Sequence, residues 1–229
     1  MAKIKETKSS PKKRKTPAKG KSSFLSKEKK TYHHDGLRQL LLEEAIRFLK
    51  TRPVQELSLR EIARSLGVSH MAPYRHFPSK EELLAAVIED GFHKLSARFR
   101  ADSQKTYNSY HEMFISLGKN YVEFFLQNPD QARLMFSGVL CDKEKYPKPH
   151  EAGQETFGFL LQLIQKGQKE GHISPQENPY LLGLMIWSAV HGTAVLMLED
   201  QFEMIDHAPE VQMDIFMNFM GQKILKGVR

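Results

Sequence analysis

Between residues 58 and 80 the chain sets Arg60, Arg64, Arg75 and Lys80 against one acid, Glu61, and interleaves them with Ser69, His70, Tyr74 and His76. Each of these basic and polar side chains can donate a hydrogen bond, and four are cationic at neutral pH, so the chemistry open to the segment is capture of phosphates and base edges. A merely solvated helix face more usually mixes both signs of charge. Catalytic chemistry finds no comparable set. The sequence holds no metal-ligand spacing, no phosphate-cradling glycine loop and no elbow around a nucleophilic serine. His33 and His34 are adjacent and cannot share a helix face. Cys141 stands alone, which excludes an intramolecular disulfide framework and a Cys-based zinc site and fits a reducing compartment. These residues predict no enzyme, no metal and no cofactor, in a cytoplasmic protein that is nucleoid-associated when bound to DNA.

The elements that must position the basic set follow from local signals. Asp35 is suited to cap a helix in which Leu37, Leu41, Ala45 and Phe48 form one apolar face, ending near Thr51 before Pro53. Ser58 and Glu61 fit a capping box that starts a short helix running to Leu66, where Gly67 breaks it. Ser69 is suited to cap a second short helix closed by Pro78, and Ser79 with Glu82 repeats the box ahead of a long helix along Leu84, Ile88, Leu95 and Phe99. With Ile62 and Leu66 inward, Ala63 small at the crossing and Val68 plugging the corner, residues 58–77 read as a helix-turn-helix. Pro73 falls in its second helix and removes an early helical N–H, which predicts a short or late-starting helix. Met71 and Ala72 are apolar, so base readout is expected to lean on thymine methyl groups. His70 either reads a base or caps the helix.

From Tyr107 onward the pattern stays helical, with breaks at Asn128 and Pro129, Tyr146 to Pro149, Gly171 to Pro175 and His207 to Pro209. The expected fold is all-α: an N-terminal three-helix helix-turn-helix domain joined by a long helix to a C-terminal bundle of about five helices, forming a homodimer. The expected domains are a disordered basic tail over 1–31, a DNA-binding domain over 32–95 and a ligand-binding and dimerisation domain over 96–229. The tail carries 12 Lys and Arg against two acids, a balance of +10, so the remaining residues sum to −3 and the net +7 is the tail's charge. Such a tail is expected to attract phosphate without reading sequence.

Two features of the second half ask for partners. Residues Tyr180 to Leu198 contain no formally charged side chain and are nearly long enough to cross a bilayer, but Gly183, Ser188, His191, Gly192 and Thr193 dilute them. The reading preferred over a membrane span is a helix covered by a partner subunit. Phe114, Phe125, Phe136, Phe157, Trp187 and His191 are the candidate lining of an adaptable apolar cavity. Trp187 and His191, four apart, share a helix face. They either flank an effector or serve as a core anchor and a satisfied buried donor.

The stretch Ser-Leu-Arg-Glu-Ile-Ala-Arg-Ser-Leu-Gly-Val-Ser from Ser58, the opening Tyr-His-His-Asp-Gly-Leu-Arg from Tyr32, and the junction Tyr74 to Glu81 resemble the TetR family of bacterial regulators over roughly residues 32–95. Ile-Trp-Ser-Ala-Val-His-Gly from Ile186 resembles the Trp-x-x-x-His-Gly element of one subgroup. The resemblance implies double-stranded DNA as partner, with Arg60 at the groove edge and Ser69 to His76, Arg75 included, entering the major groove. His70, Met71 and Ala72 would face bases, while Tyr74, His76 and Lys80 would hold phosphates. It further implies a homodimer built on the last two long helices, a roughly palindromic operator, and repression relieved by a small, largely apolar effector. An architectural DNA-binding protein without effector is the alternative.

Overall fold

The computed structural model describes residues 34–140, 142–201 and 209–227, all helix and turn with no strand among them. The basic tail, His33, Cys141 and most of the break around His207 lie outside these residues. In chain order the helices are α1 (His34–Leu49), α2 (Leu59–Leu66), α3 (Lys80–Ser103), α4 (Tyr110–Gln127), α5 (Pro129–Phe136), α6 (Pro147–Lys169), α7 (Pro179–Leu198) and α8 (Pro209–Gly227).

Short-range chemistry sets most of these boundaries. Ser58 Oγ accepts the Glu61 N–H at 3.2 Å and Ser79 Oγ the Glu82 N–H at 3.3 Å, which starts α2 and α3. The reciprocal half expected of the first box is not made, because the Glu61 carboxylate pairs with Arg52. Gly67 closes α2 at φ +67, a left-handed conformation natural only to glycine, and Val68 N–H returns to Ala63 O at 3.0 Å. Ser109 caps α4 by the same Ser-x-x-Glu spacing, accepting from Glu112 at 3.1 Å. Asp35 lies inside α1, so the cap expected of it is not its role. Pro147 and Pro149, taken as part of a break, instead sit in the first turn of α6, where a missing N–H costs no helical bond.

Helix α3 is the spine. Its Leu84, Val87, Ile88, Leu95 and Phe99 are buried, as the spacing predicts, and it packs against α1 near its start and against α4, α5 and α6 beyond. Buried polar contacts fix its neighbours. Ser96 Oγ meets Thr156 Oγ1 of α6 at 2.8 Å, and Gln131 Nε2 of α5 donates to Val87 O and Asp90 Oδ2 at 2.8 and 2.9 Å. One apolar cluster runs from Leu41 through α3 to Leu225, and truncating a fully buried leucine in it costs about 2–5 kcal/mol. Helix α4 lies against α7 and α8. Gly118 permits that approach, since a Cβ there would fall 2.1 Å from Met217 Cε and 3.7 Å from Val190 Cγ2.

Helix α7 is long and apolar enough to cross a membrane by composition, yet it buries Leu182, Ile186, Val190 and Ala194 against the bundle. Its opposite face leaves Leu181, Leu184, Met185 and Leu196 exposed, and α8 adds Ile215 and Phe219.

Candidate functional site

Residues 69–77 are held in position by what they bury. Pro73 and Phe77, four apart, are both buried, Phe77 to 2% exposure, and the Arg38 guanidinium lies 5.2 Å from the Phe77 ring centroid. With that pair as anchor the neighbouring side chains face outward: Met71 is 67% exposed, and His70, Tyr74 and Arg75 face solvent with it. The backbone here is a turn followed by a 3-10 turn over Pro73–Arg75, and the α-helix expected after Ser69 does not form. Pro73 is the reason. Without its N–H, the carbonyl of Ser69 is reached instead by Ala72 N–H at 2.9 Å, and His76 and Phe77 both turn back to Pro73 O at 2.9 Å. Ser69 Oγ accepts from Met71 N–H at 3.3 Å, so capping belongs to Ser69 and His70 is left to face outward.

Arg60, His70, Met71 and Tyr74 line one shallow concavity together with Arg64. Arg64, counted in the basic set but given no contact by the family resemblance, is four residues from Arg60 and so shares its face of α2. Ser69 and Arg75 are exposed beside it, while Ala72 and His76 are half-buried. Lys80 is also half-buried, and its ammonium donates to Gln55 O at 2.9 Å, tying the start of α3 to the loop before α2. Two of its three N–H groups remain for other acceptors. The one acid of the segment, Glu61, is paired with Arg52, so the field over the concavity stays positive.

Within the bundle, residues of α3, α4, α5, α6, α7 and α8, with Gly138, Val139, Leu140, Lys143 and Tyr146 from the connection before α6, line a cavity of about 690 Å³. Phe114, Phe136, Phe157 and Trp187 lie on its wall; Phe125 and His191 do not. Phe125 stands one layer behind, stacked on Phe136 at 5.6 Å between centroids. A polar chain runs from the wall residues Trp187 and Tyr121 back to His191. Trp187 Nε1 donates to Tyr121 Oη at 3.2 Å, and Tyr121 Oη lies 2.8 Å from His191 Nδ1. Burial pushes the Tyr121 hydroxyl well above its ordinary range and the His191 imidazole below its own, so a protonated phenol meets a neutral ring, and the tautomer of that ring sets which of the two donates. Tyr121 had no signal of its own in the sequence, being 70 residues from its partner. The loop wall, with Lys143 and Tyr146, and His150 in the first turn of α6 were likewise missed, for that loop has no periodicity to read.

Comparison with known proteins follows the same division of the chain. Residues 41–87 match the family described as bacterial regulatory proteins, tetR family, and residues 114–219 the tetracyclin repressor-like C-terminal domain. A nucleoid occlusion factor SlmA of Marinobacter nauticus is 35% identical over 136 residues, 59% of this chain and 68% of that protein. The chain belongs to the TetR family of bacterial regulatory proteins. It is therefore a DNA-binding regulator with a helix-turn-helix, and not an enzyme. A Rhodococcus sp. RHA1 protein of unknown function has the same fold at 30% identity and a TM-score of 0.75, covering 87% of this chain and 98% of that one. The transcriptional regulator FadR of Bacillus subtilis, solved in complex with stearoyl-CoA, shares the fold at 14% identity and a TM-score of 0.66, covering 83% and 99%. Against SlmA proteins of Marinomonas sp. and Idiomarina loihiensis this TetR-family chain spans 52% of the relative's length.

Proposed function

We propose that the protein is a dimeric, ligand-responsive transcriptional repressor, released from a roughly palindromic DNA site when a small, largely apolar effector enters the bundle. The observation that carries this reading is that one helix serves both sites. Helix α3 begins with Lys80, beside the outward-facing recognition residues, and its Ile88, Phe92, Leu95 and Phe99 form cavity wall. A ligand that fits one disposition of α3 better than another shifts the DNA-binding equilibrium by that difference in affinity. FadR of Bacillus subtilis, a protein of this fold, was solved in complex with stearoyl-CoA, which supports a ligand for this one.

In this proposal the DNA contacts are Arg60, Ser69, His70, Met71, Ala72, Tyr74, Arg75, His76 and Lys80, with Arg64 added, on a DNA-binding domain over 32–95. The effector and dimer domain spans 96–229. The exposed apolar face of α7 and that of α8 are the surfaces a second copy would cover, making a two-fold dimer whose recognition segments read two half-sites. The Trp-x-x-x-His-Gly element then has a physical role: Trp187 meets the ligand, and His191 fixes it from behind through Tyr121.

A second reading has its own support. The SlmA relatives carry the name nucleoid occlusion factor, and the +10 tail suits broad attraction to chromosomal DNA without an effector. One experiment separates the two. Protein on a selected duplex is titrated with a library of small apolar compounds, following Trp187 emission and DNA release together. Repression by ligand predicts that compounds quenching Trp187 also release DNA with coupled affinities. Binding that leaves DNA affinity unchanged favours the effector-free reading.

A further inference from the structure

The charge of the cavity wall deepens this reading and rests on it. Among the described residues, no aspartate or glutamate lines the cavity, while Lys143, His150 and Gln154 all do. His150 and Gln154 are four apart at the start of α6 and so share the face turned to the cavity. Lys143 comes from the loop immediately before that helix and is exposed, which marks this end as the mouth. Glu144 and Glu151, beside them in sequence, are exposed and off the lining, and two further acids are engaged elsewhere. The Asp142 carboxylate accepts the backbone N–H groups of Glu144 and Lys145 at 3.1 and 3.0 Å, and Glu155 pairs with Arg100 at 3.2 Å.

Tyr146 adds a second observation at the same end. Its ring is on the wall, and the Lys145 ammonium sits 5.1 Å from its ring centroid, which brings a second cation to this end. The rest of the cavity is aliphatic, aromatic and Met-lined, with Phe92, Phe114, Leu160 and Met217 on its walls. One end therefore concentrates the positive charge of the wall, while the hydroxyls elsewhere on it are already engaged, Thr156 with Ser96 and Ala152 O and Tyr121 with Trp187 and His191.

We infer that the effector is an amphipathic acid: an apolar chain or ring system seated among the aromatic side chains, with a carboxylate held at the mouth by Lys143 and His150. Charge-assisted hydrogen bonds of this kind bind several-fold to more than tenfold more tightly than neutral ones, and a cationic head group at the same place is repelled.

The test uses the full-length protein and its single tryptophan, Trp187, which lies on the wall. Dodecanoate, dodecanol and dodecyltrimethylammonium are titrated while Trp187 emission is followed. Dodecanoate should bind about tenfold more tightly than dodecanol, with the cation weakest. The double variant Lys143→Met/His150→Phe, at exposed and half-buried positions, should lower the ratio of dodecanoate to dodecanol affinity from about ten to about one. Saturable dodecanol binding in the variant shows that its cavity is intact. Equal affinity for acid and alcohol, or discrimination that survives the double substitution, overturns the acidic head group and leaves the effector cavity standing. Failure of all three probes to perturb Trp187 overturns both.

Discussion

Replacing Lys80 by methionine keeps the stem and deletes the charge, which isolates one phosphate contact. In the free protein the ammonium donates to Gln55 O at 2.9 Å, a partly exposed hydrogen bond worth about 1 kcal/mol, so the variant should remain folded with a slightly lower unfolding midpoint. On DNA the effect is larger and has a distinct signature. Each phosphate neutralised contributes about 0.9 to the slope of log affinity against log salt, and the proposed dimer presents Lys80 twice, so the slope should flatten by about 1.8. Between 50 and 200 mM salt the parent protein should therefore lose about tenfold more affinity than the variant. Met71→Ala is the matched contrast: it should leave the slope alone and relax the preferred sequence, as loss of an apolar base contact does. The assay is fluorescence anisotropy on a selected duplex across a potassium chloride series. A slope in Lys80→Met equal to that of the parent would refute the assignment of Lys80 to a phosphate.

Three further outcomes follow from the packing and titration described above. His191 has its pKa lowered by burial, so the folded state holds fewer protons than the unfolded one. Its stabilising contribution is full above the unfolded value of about 6.5 and is lost as pH falls from there through the folded value. The unfolding midpoint should drop on acidification from pH 7.5 to 5.5, and His191→Phe should reduce that drop; equal drops would contradict it. Gly167→Ala places a Cβ 2.4 Å from Tyr110 Oη and 2.5 Å from Tyr110 Cζ, on a buried ring pinned by its hydrogen bond to Leu163 O at 2.8 Å and by stacking on His172 at 4.8 Å. Overpacking at such a site costs about 1–3 kcal/mol, which exceeds the helix-propensity gain of about 1 kcal/mol, so denaturant unfolding should show net loss of stability. Leu181→Glu with Leu184→Glu, at positions 68% and 49% exposed, should turn dimers into monomers in sedimentation without unfolding the chain, whereas an unchanged sedimentation coefficient would remove α7 from the interface.

The DNA-binding half was legible because its signals are local. Ser58, Gly67 and Ser79 act on atoms three to five residues away, and the apolar spacing of Leu84, Ile88, Leu95 and Phe99 passes directly into burial. Pro73 announced a shortened recognition helix; that the result is a 3-10 turn depends on the competition for Ser69 O, which only geometry shows. In the bundle, spacing tells which residues are buried but not which of them face a void. That is why Phe114, Phe136, Phe157 and Trp187 reach the wall while Phe125 and His191 stand behind it. The polar end of the cavity was hidden for a different reason: Lys143 and Tyr146 come from a loop without period, and His150 from a first turn that its two prolines disguised as a break.

The exposed set on Arg60, Arg64, His70, Met71 and Tyr74 is tested most directly by selecting bound duplexes from a random pool at moderate salt, with the parent protein and with Tyr74→Ala/Lys80→Met. Enrichment of one motif with approximate two-fold symmetry, lost in the variant, is the predicted result. Recovery of no preferred sequence, or of the same motif with undiminished affinity from the variant, would contradict it.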